Sequence, residues 1–128
     1  MKTTQKHFEL FKSECRKWID LLELNNFETC FSHRKIDSEC YAECHSNASD
    51  YVATITLNTF WDGEIRKLND EEIRITARHE AIHLLLSRLS GCGHDRDSSH
   101  NDIREAEEET VRKLLHFIKK VYKEPCLK

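Results

Sequence analysis

Thr76-Ala77-Arg78-His79-Glu80-Ala81-Ile82-His83-Leu84-Leu85-Leu86 is the stretch on which the reading of this chain turns. It holds the pattern H-E-x-x-H inside an apolar, helix-favouring run from Ile73 to Leu89. On a helix, positions four apart share a face, so His79 and His83 can offer two imidazoles to one Zn²⁺, with Glu80 beside the open coordination position. With eight histidines in 128 residues, this pattern is expected by chance roughly 0.06 times, a real false-positive risk for a lone motif. The context strengthens it. Two imidazoles and a carboxylate in an otherwise hydrophobic helix are costly to bury unless each finds a partner, and a divalent cation satisfies all three.

Reading outward, the helix start is well marked. Asn69 can cap, Glu72 follows three residues later as in a capping box, and Leu68 and Ile73 occupy hydrophobic-staple positions. The apolar residues between Ile73 and Leu89 cover most of the circumference, which predicts burial on nearly all sides of the second half. Gly91 is expected to end the helix as a left-handed cap. Upstream, Phe8, Phe11, Cys15, Trp18, Ile19 and Leu22 recur at three- and four-residue spacings, predicting an amphipathic helix over Lys6 to Leu22. Between Asn26 and Leu57 three short strands are expected, around Phe27–Phe31, Cys40–Cys44 and Tyr51–Leu57. The last alternates cleanly, with Tyr51, Ala53, Ile55 and Leu57 on one face. Turn residues between them suit an antiparallel meander whose third strand forms an edge. Another helix is expected from about Ser99 to Tyr122, with Ile103, Val111, Leu114, Leu115, Ile118 and Val121 as its buried face, closed by Pro125.

A catalytic zinc commonly takes three protein ligands and a water. The metzincin extension would place Gly at position 86 and His at position 89, where this chain has Leu at both. That subclass is excluded. The third ligand must come from His94, Asp95, Asp97 or His100 in the polar loop, or from the Glu105-Ala106-Glu107-Glu108-Glu109 cluster. Glu107 lies four after Ile103, four before Val111 and seven before Leu114, in line with the apolar stripe, and is the favoured candidate. Glu108 lies at the edge of that stripe, and Glu105 and Glu109 are expected to face water. An acidic first turn also complements the helix dipole, which accounts for some of these acids without a metal.

With T-A-R-H-E-A-I-H-L-L-L and the downstream R-E-A-E-E-E-T-V-R-K-L, the chain resembles small metallopeptidase-like proteins, many encoded by phages and prophages, that are similar to minimal gluzincins. The resemblance implies an α+β minimal zincin: an N-terminal helix, a short three-stranded, mostly antiparallel sheet, the H-E-x-x-H helix and a C-terminal glutamate helix. It implies Zn²⁺ held by His79, His83 and Glu107, with Glu80 as general base of a metallopeptidase. It says little about which peptide or protein is the substrate. The alternative is a catalytically inactive zincin-like domain that binds zinc and acts as a protein-interaction module.

Composition sets the remaining bounds. A length of 128 residues predicts a single domain spanning 1–128 with one core. A net charge of −3 and an acidic longest charge cluster argue against nucleic acid as a partner. No apolar run reaches membrane-spanning length and the first residues resemble no targeting signal, so the cytoplasm is the expected location, with no membrane partner. The six cysteines are accordingly expected to be reduced, those at Cys40 and Cys44 as small core residues. Candidate donors to a developing oxyanion are His94, His100, Arg78 and Tyr122. Sequence alone leaves the oligomeric state open.

Overall fold

The computed structural model describes residues 1–37, 39–94 and 99–121, with only the backbone of His94. The described residues form an α+β fold in the order α1 (Gln5–Leu21), β1 (Glu28–Arg34), β2 (Ala42–Asn47), β3 (Val52–Asn58), α2 (Asp70–Leu85), α3 (Ser87–His94) and α4 (His100–Val121). Asp95, Asp97, Tyr122 and Pro125 lie outside the described residues.

Thr4 starts α1. Its hydroxyl accepts from the His7 N–H, while His7 Nδ1 accepts from the Thr4 N–H, so two orphan donors are satisfied reciprocally. Phe8, Phe11, Cys15 and Ile19 form the buried stripe of this helix. They pack on α2, where Ile73, Ala77, Ala81 and Leu84 are fully buried. Small residues at 77 and 81 let the two backbones approach, and Cys15 Sγ donates to the Ala77 carbonyl at 3.5 Å.

The sheet has the order β1-β3-β2 and is mixed, with β1 parallel and β2 antiparallel to β3. This corrects the expected meander and its mostly antiparallel sheet. The central strand is β3, and the edges are β1 and β2. The physical reason lies in the connection from β1 to β2, which crosses the end of β3 and is tied there by Asn58. Ile36 and Phe60 N–H groups donate to Asn58 Oδ1 at 3.3 and 3.2 Å, and Asn58 Nδ2 donates to the Cys40 carbonyl at 2.8 Å. Only β2 and β3 form a hairpin. Its turn is closed by Asn47 Oδ1, which accepts from the Ser49 and Asp50 N–H groups, and by Tyr51 in the left-handed region at φ 54°. Ala53, Ile55 and Leu57 point from β3 into the core, as the alternation predicts. Tyr51 precedes the strand and is exposed.

Three further expectations are corrected in the second half. The motif helix breaks at Leu86, and Gly91 sits inside α3 without a positive φ. Nor is the helix buried all round: His79, Ile82, His83 and Leu86 form an exposed stripe at spacings of three and four. In α4 the apolar stripe expected to face inward is exposed. The body is met instead through Ala106, Thr110, Lys113 and Phe117, the last packed on Trp18 with ring centroids 5.5 Å apart. Polar ties from the end of α1 hold α4 in this orientation. Lys113 donates to the Glu23 carbonyl and His116 meets the Glu23 carboxylate, each at 2.7 Å. No helix among the described residues is long and apolar enough to cross a membrane.

Candidate metal centre

The cap of α2 places the motif. Asn69 Oδ1 accepts from the Glu72 N–H at 2.9 Å, fixing the first turn two turns ahead of His79. The Glu72 carboxylate takes Arg66 Nη1 at 2.9 Å, so a loop cation is anchored near the helix as well.

On the exposed face of α2 the two imidazoles converge. His79 Nε2 and His83 Nε2 are 3.1 Å apart, with ring centroids 4.8 Å apart and the rings inclined by 68°. Two nitrogens bound tetrahedrally to zinc at about 2.05 Å are separated by about 3.3 Å, so the pair already has the spacing of two ligands to one ion. Burial, the neighbouring His83 and the Arg66 cation hold the His79 imidazole below its ordinary pKa. The neutral form thereby favoured is the form that ligates metal.

Glu80 is buried, 5% exposed. Burial first, then the Glu43 carboxylate, push its pKa up to about 7. It shares a cleft of about 200 Å³ with His79, Cys40, Tyr41, Ala42, Arg66 and Thr76. Cys44 is pushed up to about 12 by burial and by Glu80, and the more deeply buried Cys15 is also raised. Both are therefore thiols, not reactive thiolates. Cys40 is exposed and precedes β2, so it is not the core residue expected of it.

Glu107 is exposed on α4, and Glu108 and Glu105 are exposed too. Glu109 is half-buried and bound to Arg88 at 2.7 Å, contrary to its expected solvent position. Among the described residues, no three His, Cys, Asp or Glu side chains are gathered closely enough to hold a metal. The structure thus brings His79 and His83 together, with the buried Glu80 next to His79 in the chain, and does not gather Glu107 with them.

Among the candidate oxyanion donors, Arg78 lies over the Trp18 ring at 5.3 Å, and His100 is exposed at the start of α4. The His94 side chain and Tyr122 are outside the described residues. Arg66 and Tyr41 are the cleft residues that sequence reasoning missed. The Tyr41 hydroxyl donates to Asp62 at 2.7 Å and accepts from the Ile65 and Arg66 N–H groups, pinning the loop that carries Arg66. No periodicity marks this loop, and the tie from Tyr41 spans 25 residues.

Compared with protein-family models, curated proteins and solved structures, the chain gives no match. Its functional reading rests on its own residues.

Proposed function

We propose that this chain is a zinc-dependent metallopeptidase of gluzincin-like type, with His79, His83 and Glu107 as ligands and Glu80 as general base. The observation that carries the reading is the convergence of the His79 and His83 Nε2 atoms at 3.1 Å, with a buried acid on the next residue. When bound, zinc would supply a Lewis acid and a water acidified towards neutrality. The Glu80 carboxylate takes up a proton and returns it to the leaving amine. Arg66, on the wall of the same cleft, suits the developing oxyanion better than Arg78 does. Because β2 is the edge strand beside α2, an extended substrate peptide is laid along Ala42–Asn47 by main-chain hydrogen bonds, in place of the β3 edge expected from sequence. Glu107 completes the ligand set by movement of the first turns of α4 towards the imidazoles, coupling metal binding to local folding.

The test is Glu80→Gln in the zinc-loaded protein. It is expected to retain stoichiometric zinc and to lose cleavage of an unfolded protein substrate, whereas unchanged cleavage would remove Glu80 from the chemistry. The small cleft, about 200 Å³, favours one other reading, a zinc-holding interaction module without turnover. Stoichiometric zinc with no cleavage of a broad peptide library by the wild-type protein would select it.

A further inference from the structure

The C-terminal half of α4 presents a continuous apolar face to solvent. Val111, Leu114, Leu115, Ile118 and Val121 are each between 41% and 53% exposed. They recur at spacings of three and four, so they line one side of a helix whose opposite side is tied to α1 through Lys113, His116 and Phe117. An apolar stripe of this length on a charged helix marks an interaction surface.

We propose that this stripe is the interface between two copies of the chain, paired antiparallel along α4 about a two-fold axis between Leu114 and Leu115. Charges flanking the stripe carry both the choice of partner and the direction. In the overlap an antiparallel pair brings Glu108 of each copy beside Lys119 of its mate, whereas a parallel pair would set Glu108 against Glu108 and Lys119 against Lys119. In the antiparallel register Val111 lies opposite Ile118, and Leu114 opposite Leu115. Glu108 and Lys119 share the same flank of the stripe, three turns apart, so each comes within a turn of its opposite in the second copy. Neither has an ion-pair partner among the described residues, whereas Lys113, Lys120 and Glu109 are already engaged within the chain. The overlap runs from Glu108 to Val121 and does not include Glu107.

Five half-exposed side chains per copy amount to roughly 800 Å² of apolar surface for the pair before flanking groups are counted, an interface of the weak, concentration-dependent class. Sedimentation equilibrium of the full chain tests this. The expected mass is 15.2 kDa at low concentration, rising towards twice that value by roughly several hundred micromolar. Leu114→Glu and Ile118→Glu should each keep the 15.2 kDa mass at every concentration. Because both positions are exposed, far-UV circular dichroism and Tm should be unchanged. Glu108→Lys should weaken association by roughly tenfold, and combining it with Lys119→Glu should restore it. A wild-type chain that remains monomeric throughout would overturn the proposal, whichever other segment or partner covers the stripe. So would Leu114→Glu dimers as stable as wild type, or a charge-swapped double variant no tighter than Glu108→Lys alone.

Discussion

Glu80 is the residue on which the proposed chemistry and stability pull in opposite directions. A buried carboxyl whose pKa rises from 4.5 to about 7 is favoured in its protonated form by folding. The metal-free native state therefore binds more protons than the unfolded chain across that window, and its stability falls as pH rises from 4.5 to about 7, then levels. The loss is on the order of 3 kcal/mol. Glu80→Gln in metal-free protein should remove this slope, so that its Tm exceeds that of wild type at pH 8 and the gain vanishes near pH 4. An identical slope in both proteins would contradict the assigned burial. Arg66 carries a separate prediction. If it steadies an oxyanion, Arg66→Ala in the zinc-loaded protein should lower kcat by about 10²-fold with a smaller change in KM. Steady-state kinetics on one peptide substrate would separate this from a binding role, which would raise KM alone.

Among the elements, α2 was the most legible from sequence. Its start at Asn69 and its motif spacing are both present, because capping and helical periodicity are local properties. Asn69→Ala should cost about 1 kcal/mol, read from urea denaturation, through the loss of the bond to the Glu72 N–H. Its far end is not legible in this way. Leu84-Leu85-Leu86 reads as uniformly buried, but Leu84 and Leu85 face the core while Leu86 marks the break before α3. The sheet was half legible. Alternation identifies β3 and its inward face, yet pairing order depends on Asn58 anchoring a crossing loop through contacts 18 and 22 residues away, which no local pattern records. In α4 the apolar period is correct and its orientation is not. Glu23 and Trp18, distant in sequence, turn the helix so that Ala106, Thr110 and Phe117 meet the body and Glu107 does not.

Taken whole, the molecule is a core of α1, α2 and the sheet to which α4 is attached by few buried side chains. Ile55, Leu57, Phe11 and Ile73 are fully buried in that core, whereas only Ala106 and Thr110 of α4 are buried among the described residues. Phe11→Ala should cost about 3–5 kcal/mol. Hydrogen exchange of the metal-free protein should show β3 amides opening only with global unfolding and α4 amides exchanging by local opening at lower free energy. Equal protection of both elements would contradict this division. On the proposed ligand set, the same weak attachment would let the first turns of α4 bring Glu107 towards His79 and His83, and zinc should then slow exchange in α4 selectively. The proposed chemistry depends on the metal, and the most direct measurement is elemental analysis of purified protein. Wild type is expected to hold one zinc per chain, Glu107→Ala to hold it weakly, and the His79→Ala, His83→Ala double variant to hold none. A zinc-free wild-type protein, or a double variant that retains the full complement, would contradict it.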